Sequence, residues 1–131
     1  MFKRGPVPPV VHGVLDYVVA CVLIAAPLVL SFEEDAATAL AIGLGVGVLL
    51  LAAFTAWTTG IVKSIPVVAH AMLDYLIGVL LIASPFVFGF NDDDTASAFF
   101  VVLGILFLLL AVATRFTPAP PRSQRATTRA A

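Results

Sequence analysis

Four long apolar runs, separated by short polar stretches, make up most of the chain. They cover residues 9–30, 36–59, 65–90 and 95–116. Because the hydrocarbon core of a bilayer is about 30 Å thick, a spanning helix needs roughly 20 apolar residues. Each run is long enough to cross, so the pattern predicts an all-α membrane protein with four transmembrane helices.

Short polar connectors join the predicted helices, at residues 31–35, 60–64 and 91–94. Loops of this length force neighbouring helices to be adjacent and antiparallel. The chain is therefore predicted to consist of two helical hairpins, residues 9–59 and 65–116, joined by the middle connector.

Composition supports a lipid environment. Hydrophobic residues make up 61% of the chain and charged residues 11%, whereas a soluble domain carries about 25% charged residues. The single cysteine, Cys21, excludes an intrachain disulfide and a paired-thiol redox motif. The chain carries no nucleophile constellation or cofactor motif, so we predict no enzymatic activity, no cofactor and no nucleic-acid partner.

The charges divide between the two ends of the predicted bundle. In the connectors at one end the charged residues are all acidic, at positions 33–35 and 92–94. All seven basic residues fall at the other end: Lys3, Arg4, Lys63, Arg115, Arg122, Arg125 and Arg129. The positive-inside rule places that end in the cytoplasm. Residues 1–8 and 117–131 are then both cytoplasmic, and the second of these segments, rich in Pro, Ser, Thr and Arg, is predicted to be disordered.

The chain resembles itself when it is shifted by 58 residues without a gap. The matched pairs include Pro8 with Pro66, His12 with His70, Asp16 with Asp74, Pro27 with Pro85 and Asp35 with Asp93. Helices two and four share little beyond apolarity in this register. Both copies run in the same direction, which predicts a parallel repeat with an approximate two-fold axis along the membrane normal.

The second copy carries a motif of a known family. Residues 80–90, LLIASPFVFGF, lead into an acidic turn and another apolar helix. This segment resembles the SPW repeat family, named for a Ser-Pro-Trp at the outer end of a membrane helix. The equivalent tripeptides here are Ser84-Pro85-Phe86 and, in the first copy, Ala26-Pro27-Leu28. The resemblance implies a small bacterial inner-membrane protein of this architecture, and it implies no catalytic residues.

Each copy places a histidine four residues before an aspartate, as His12 with Asp16 and His70 with Asp74. On a helix this spacing puts both side chains on one face. An ionised aspartate facing lipid would cost a few kcal/mol, so we expect both aspartates to face the bundle. If helices one and three are in contact, the two-fold axis brings all four groups together.

Three interpretations of these four residues compete. A polar clasp would fix the register of helices one and three. A proton- or ion-handling site would use the titration of histidine near neutral pH. A site for zinc or manganese is chemically plausible, but it has only the spacing to support it. We favour the clasp and predict no metal.

Other residues are assigned accessory roles. Tyr17 and Tyr75 are expected to bond a neighbouring helix or to lie in the interfacial belt. Pro27 and Pro85 are interpreted as bends that lead into the acidic turns. In the acidic turns, Asp35 or Asp94 is expected to cap the helix that follows.

Small residues in helix two form a separate pattern. Ala39, Gly43 and Gly47 make a ridge of the small-xxx-small type, which lets another helix approach closely, either within the bundle or in another subunit.

These features favour a structural or accessory membrane protein that acts through helix contacts, as a homo-oligomer or together with another membrane protein. The alternative is a small proton- or ion-coupled transporter that uses the paired His-x-x-x-Asp motifs.

Overall fold

The computed structural model describes residues 5–116 and contains four helices: α1 (Pro9–Val29), α2 (Asp35–Phe54), α3 (Val67–Val87) and α4 (Asp94–Ala113). All four are long and apolar enough to cross a membrane. This confirms the all-α membrane fold. Residues 1–4 and 117–131, including the predicted disordered tail, lie outside the described part of the chain.

Two of the predicted helices extend too far at the end where the termini lie. Helix α2 ends at Phe54 instead of residue 59, and α4 ends at Ala113 instead of residue 116. The next residues, Thr55 and Thr114, have an extended backbone, with ψ of 140° and 141°. The connector between α2 and α3 therefore covers residues 55–66 rather than 60–64. Hydropathy alone did not reveal this, because apolar residues, among them Trp57 and Phe116, continue past the ends of both helices.

These extended threonines pair with the segments that lead into α1 and α3. Isolated parallel bridges join Val7 with Thr114 and Thr55 with Ile65. The amide of Val7 donates to Ala113 at 3.0 Å, and the amide of Ile65 donates to Phe54 at 2.7 Å. The start of α1 is thereby held beside the end of α4, and the start of α3 beside the end of α2.

Within each hairpin a glycine of the second helix lets it approach the first helix closely. A Cβ on Gly45 would lie 2.7 Å from Ile24 Cγ1 and 3.0 Å from Ala20 O. A Cβ on Gly104 would lie 2.7 Å from Ile82 Cγ1. Contacts along the two hairpins are extensive, whereas contacts between α2 and α3 are few.

The predicted ridge on helix two does not pack inside the bundle. Ala39, Gly43 and Gly47 are exposed, and no atom of the described residues lies within 4 Å of a Cβ built on either glycine. Of the two predicted alternatives, a neighbour within the described bundle is therefore excluded, and a neighbour in another subunit stays a prediction. The face of α2 that packs on α1 contains Gly45 instead.

The repeat contains a one-residue offset that the gap-free alignment missed. Loop 30–34 has five residues, and loop 88–93 has six. Beyond these acidic loops the equivalent residues are therefore 59 apart, so that Asp35 corresponds to Asp94 and not to Asp93. In this register the buried positions of α2 and α4 coincide: Ala37 with Ala96, Ala41 with Phe100, Gly45 with Gly104, Val48 with Phe107 and Ala52 with Ala111.

The two helix prolines lie near the ends of α1 and α3, where each helix continues for two more residues. The chain reverses four residues later, at Ser31 and Gly89, which have φ of 53° and 73°. The amide of Phe90 donates back to Pro85 O at 3.0 Å, and the first hairpin has the same bond. This arrangement is a Schellman motif, so a left-handed residue, and not the proline, turns the chain into each acidic loop.

Candidate functional site

The two paired motifs converge inside the bundle. We call His12, Asp16, His70 and Asp74 the His/Asp cluster. Nε2 of His12 lies 3.2 Å from Asp16 Oδ1 and 3.0 Å from Asp74 Oδ2. Nε2 of His70 lies 3.1 Å from Asp16 Oδ2 and 3.2 Å from Asp74 Oδ2. Each histidine thus contacts the aspartate of its own helix and that of the other hairpin, and none of the four residues is more than 1% exposed.

The second ring nitrogen of each histidine contacts a threonine from the opposite hairpin. His12 Nδ1 lies 2.6 Å from Thr114 Oγ1, and His70 Nδ1 lies 2.7 Å from Thr55 Oγ1. These threonines follow α4 and α2 directly, and the isolated bridges hold them beside the histidines. The complete polar site therefore contains six side chains, three from each hairpin.

The threonines determine which nitrogen of each imidazole carries a proton. Each hydroxyl donates to a carbonyl one helical turn back, from Thr55 to Leu51 O at 2.5 Å and from Thr114 to Leu110 O at 2.6 Å. A hydroxyl has one proton to donate, so its oxygen accepts from the histidine. Nδ1 therefore carries hydrogen in both rings, and Nε2 of a neutral ring is an acceptor.

This tautomer has a consequence for the centre of the cluster. The atoms that converge there are two imidazole Nε2 atoms and the aspartate oxygens, and none meets a donor of good hydrogen-bond geometry among the described residues. Carboxylate oxygens and neutral Nε2 atoms are all acceptors. Such a set is stable in a buried site only when protons or a cation lie between its members.

Two aromatic rings cover the cluster at the end where the termini lie. The Trp57 ring lies 4.3 Å from that of His70, and the Phe116 ring lies 5.1 Å from that of His12, measured between centroids. The two rings stack on each other at 6.2 Å with planes 12° apart. We call Trp57 and Phe116 the aromatic cover. Trp57 is 7% exposed, so it packs in the bundle.

The predicted accessory tyrosines lie beside the cluster. The Tyr17 hydroxyl donates to Thr59 O at 2.9 Å, which ties α1 to the connector that precedes α3. Tyr75 is half-buried at the equivalent position of α3.

Asp93, in the second acidic loop, serves both hairpins at the opposite end of the bundle. It caps α4 by accepting from the amide of Ala96 at 3.0 Å. Its Oδ2 also accepts from the backbone amides of Glu33 and Glu34, at 2.8 and 3.2 Å. Burial acts to raise the pKa of Asp93, but these backbone donors outweigh it and hold the pKa below its ordinary value.

The predicted caps Asp35 and Asp94 are wrong. Both are the first helical residues, and the N-cap positions belong to Glu34 and Asp93. The Glu34 side chain makes no capping bond. The extra residue of loop 88–93 moves an aspartate into the cap position of α4.

Sequence reasoning did not find three of the polar residues in these sites: Thr55, Thr114 and Asp93. Thr55 and Thr114 are equivalent residues of the repeat, 59 positions apart. The alignment with a shift of 58 concealed this, because the second acidic loop has one extra residue. For Asp93 no short-range signal distinguished one of three consecutive aspartates.

The fold and the buried site define a small multi-pass membrane protein in which two equivalent hairpins share one polar centre. A family model for the SPW repeat domain matches the chain twice, over residues 10–114 and 68–130. The chain therefore belongs to the SPW repeat family, as its Ser84-Pro85 motif indicated. No curated protein and no solved structure matches it significantly.

Proposed function

We propose that this chain is a structural or accessory membrane protein, not an enzyme, in which the His/Asp cluster is a clasp between the two hairpins. The observation that carries the proposal is the set of four Nε2–oxygen distances of 3.0 to 3.2 Å, two of which cross between hairpins. The bonds from His12 to Thr114 and from His70 to Thr55 cross as well.

Membrane energetics supports this role. In a bilayer, apolar side chains gain little by leaving lipid for another helix, so apolar packing selects a partner weakly. Separated hairpins would expose buried carboxyl and imidazole groups to hydrocarbon, at a cost of a few kcal/mol for each ionised group. The clasp therefore favours one arrangement of the hairpins over others.

The charges support an orientation for the clasp. Lys63 and Arg115 lie at the end of the bundle that holds the cluster, and the acidic loops lie at the opposite end. By the positive-inside rule, the clasp lies on the cytoplasmic side of the cell membrane, with both termini in the cytoplasm.

The rival proposal, proton or ion handling, has weaker support. Passage through the cluster requires contact with water, but its side chains are at most 1% exposed and the aromatic cover packs on both histidines. If the rival is correct, Asp16→Asn combined with Asp74→Asn abolishes a pH-dependent ion flux in liposomes while the helices survive. If the clasp is correct, the wild-type protein has no such flux.

The outward ridge supports a lateral contact with a second copy of this chain. Ala39, Gly43 and Gly47 present a smooth strip to lipid, which allows close helix approach. Replacing Gly43 by Leu is expected to shift the protein in detergent from dimer to monomer, and Val46→Leu on the same exposed side serves as the control. A monomeric wild-type protein would exclude the second copy.

The clasp is tested by comparing Asp74→Ala with Ser84→Ala. Both residues are buried on α3, but among residues 5–116 the Ser84 hydroxyl bonds within its own helix, to Leu80 O at 2.5 Å. In detergent, Asp74→Ala is expected to lower the unfolding midpoint much more and to speed proteolysis in connector 55–66. Equal behaviour of the two variants would exclude the clasp.

A further inference from the structure

We infer that the His/Asp cluster binds one divalent first-row transition-metal ion, with Zn²⁺ as the preferred ion, through two imidazole nitrogens and two aspartate oxygens. The inference rests on the proposed clasp, whose two halves the ion would join. It assigns a ligand to a site that the helix contacts alone do not explain.

The direction in which the histidines point supports a metal ion. Since Nδ1 of each ring is used by a threonine, Nε2 presents a lone pair in the neutral form. Each Nε2 is almost equally distant from oxygens of two aspartates, at 3.2 and 3.0 Å and at 3.1 and 3.2 Å, without hydrogen-bond geometry to either. The lone pairs converge on the space between the aspartates.

The four ligand atoms lie close enough together for a single ion. One ligand atom from each of the four residues can be chosen so that all lie within 4.8 Å of one another. Metal–ligand bonds of about 2.0 to 2.2 Å in a tetrahedral zinc site separate neighbouring ligands by roughly 3.3 Å. With Asp16 Oδ1 and Asp74 Oδ2 as the oxygen ligands, three nitrogen–oxygen separations of 3.0 to 3.2 Å lie within a few tenths of an ångström of that value, and any pair near the 4.8 Å limit has to close as the ion binds.

The charge of the cluster also suits a divalent cation. Two ionised aspartates with two neutral histidines carry a net charge of −2, which a divalent cation cancels completely. A neutral site is the only inexpensive one inside a bilayer, where an uncompensated charge costs several kcal/mol or more. Imidazole and carboxylate together suit Zn²⁺ and its first-row neighbours.

The residues around the four ligands hold them in orientation. Histidines that bind metals donate their other N–H to an oxygen that fixes ring orientation. Here Thr55 and Thr114 play that part, and each is oriented by a backbone carbonyl of its own helix. The four protein ligands and the aromatic cover leave no open coordination position, which is typical of structural zinc sites.

The experiment measures metal in the full chain, purified through a tag without histidine from zinc-supplemented cells. Elemental analysis is expected to find one zinc per folded chain. Asp74→Asn is expected to reduce this at least tenfold. Asp93→Asn, which alters a carboxylate at the opposite end, is expected to retain one zinc per chain. Wild-type protein that is folded and carries less than 0.1 transition-metal ion per chain would overturn the inference.

A spectroscopic measurement keeps the inference testable if Asp74→Asn does not fold. Wild-type protein produced with Co²⁺ in place of zinc is expected to show the intense visible absorption of four-coordinate cobalt. Thr55→Val and Thr114→Val keep all four ligands, so they are expected to bind with 10- to 100-fold lower affinity and to retain that spectrum. A six-coordinate cobalt spectrum in wild-type protein would contradict the proposed ligand set.

The results separate the metal site from the clasp. If wild-type protein is metal-free but Asp74→Ala is far less stable than Ser84→Ala, the metal inference fails and the clasp stands. If zinc is bound but the two variants unfold alike, the clasp fails and the metal site stands.

Discussion

The two hairpins are chemically equivalent at one end of the bundle and different at the other. At the clasp end, both hairpins supply the same three polar groups, and the four nitrogen–oxygen distances differ by only 0.2 Å, from 3.0 to 3.2 Å. At the acidic-loop end, Asp93 of the second hairpin accepts from amides of both, whereas Glu34 at the equivalent position caps nothing.

This difference shows what each end requires. In the His/Asp cluster each half completes the other, so both halves need the same chemical groups. The acidic loops only need their amides satisfied, and one carboxylate can accept several N–H donors. The core shows a similar freedom, because Ala41 and Val48 of α2 correspond to Phe100 and Phe107 of α4. Packing needs the right total volume, and either hairpin can provide it.

The largest expected effect tests the equivalence at the clasp end. Asp16→Ala and Asp74→Ala should each lower the free energy of unfolding by about 3 to 5 kcal/mol, because each leaves buried polar partners uncompensated. Since the two half-sites are equivalent, the two losses should agree within about 0.5 kcal/mol. Denaturant titration in detergent measures both. Clearly unequal losses would show that the halves do not serve the same role.

A second comparison uses two glycines on opposite faces of α2. Gly45→Ala should cost about 1 to 3 kcal/mol, because its methyl group would meet Ile24 and Ala20 O in a packed interface. Gly47→Ala, with open space around it, should be neutral or stabilising, because alanine favours a helix. Denaturant titrations measure the free energy of unfolding of both variants. A clear loss of stability in Gly47→Ala would indicate a neighbour on the lipid-facing side.

The asymmetric end is tested by Asp93→Ala and Glu34→Ala. Loss of the Asp93 cap should cost about 1 to 2 kcal/mol, and Glu34→Ala should have almost no effect, because the Glu34 side chain caps nothing. Equal effects of the two substitutions on the free energy of unfolding would contradict the asymmetry between the two acidic loops.

The pH dependence of stability gives a further test of Asp93. Because its pKa is lower in the folded protein, its contribution is complete above the unfolded value of about 3.9. The contribution is lost as pH falls through the folded pKa, because the unfolded chain then binds more protons. Between pH 5 and pH 3, wild-type protein should therefore lose more stability than Asp93→Asn. Parallel profiles of unfolding midpoint against pH would contradict this.

The last comparison concerns a conservative and a drastic change in the aromatic cover. Trp57 and Phe116 occupy equivalent positions and both pack on the histidines. Trp57→Phe should therefore cost less than about 1.5 kcal/mol, whereas Trp57→Ala should cost about 3 kcal/mol or more. Thermal unfolding of the two variants tests whether Trp57→Ala loses more stability than Trp57→Phe.

The sequence predicted the helices and the paired motifs, because apolar length and four-residue spacing are local signals. It could not show that α1 and α3 meet, since that depends on which face of each helix turns inward. The same limit explains the ridge of Ala39, Gly43 and Gly47, whose spacing defines a face but not its neighbour. Thr55 and Thr114 stayed hidden because one extra loop residue shifts the repeat.

The most direct test of the clasp is a double-mutant cycle between Asp16 on α1 and His70 on α3, whose Oδ2 and Nε2 atoms lie 3.1 Å apart across the two hairpins. Unfolding free energies of Asp16→Asn, His70→Gln and the double variant should give a coupling of at least about 1 kcal/mol. The control pair, Asp93→Asn with His70→Gln, joins opposite ends of the bundle and should be additive. A cycle for Asp16 and His70 that is also additive would contradict the claim that this cluster holds the hairpins together.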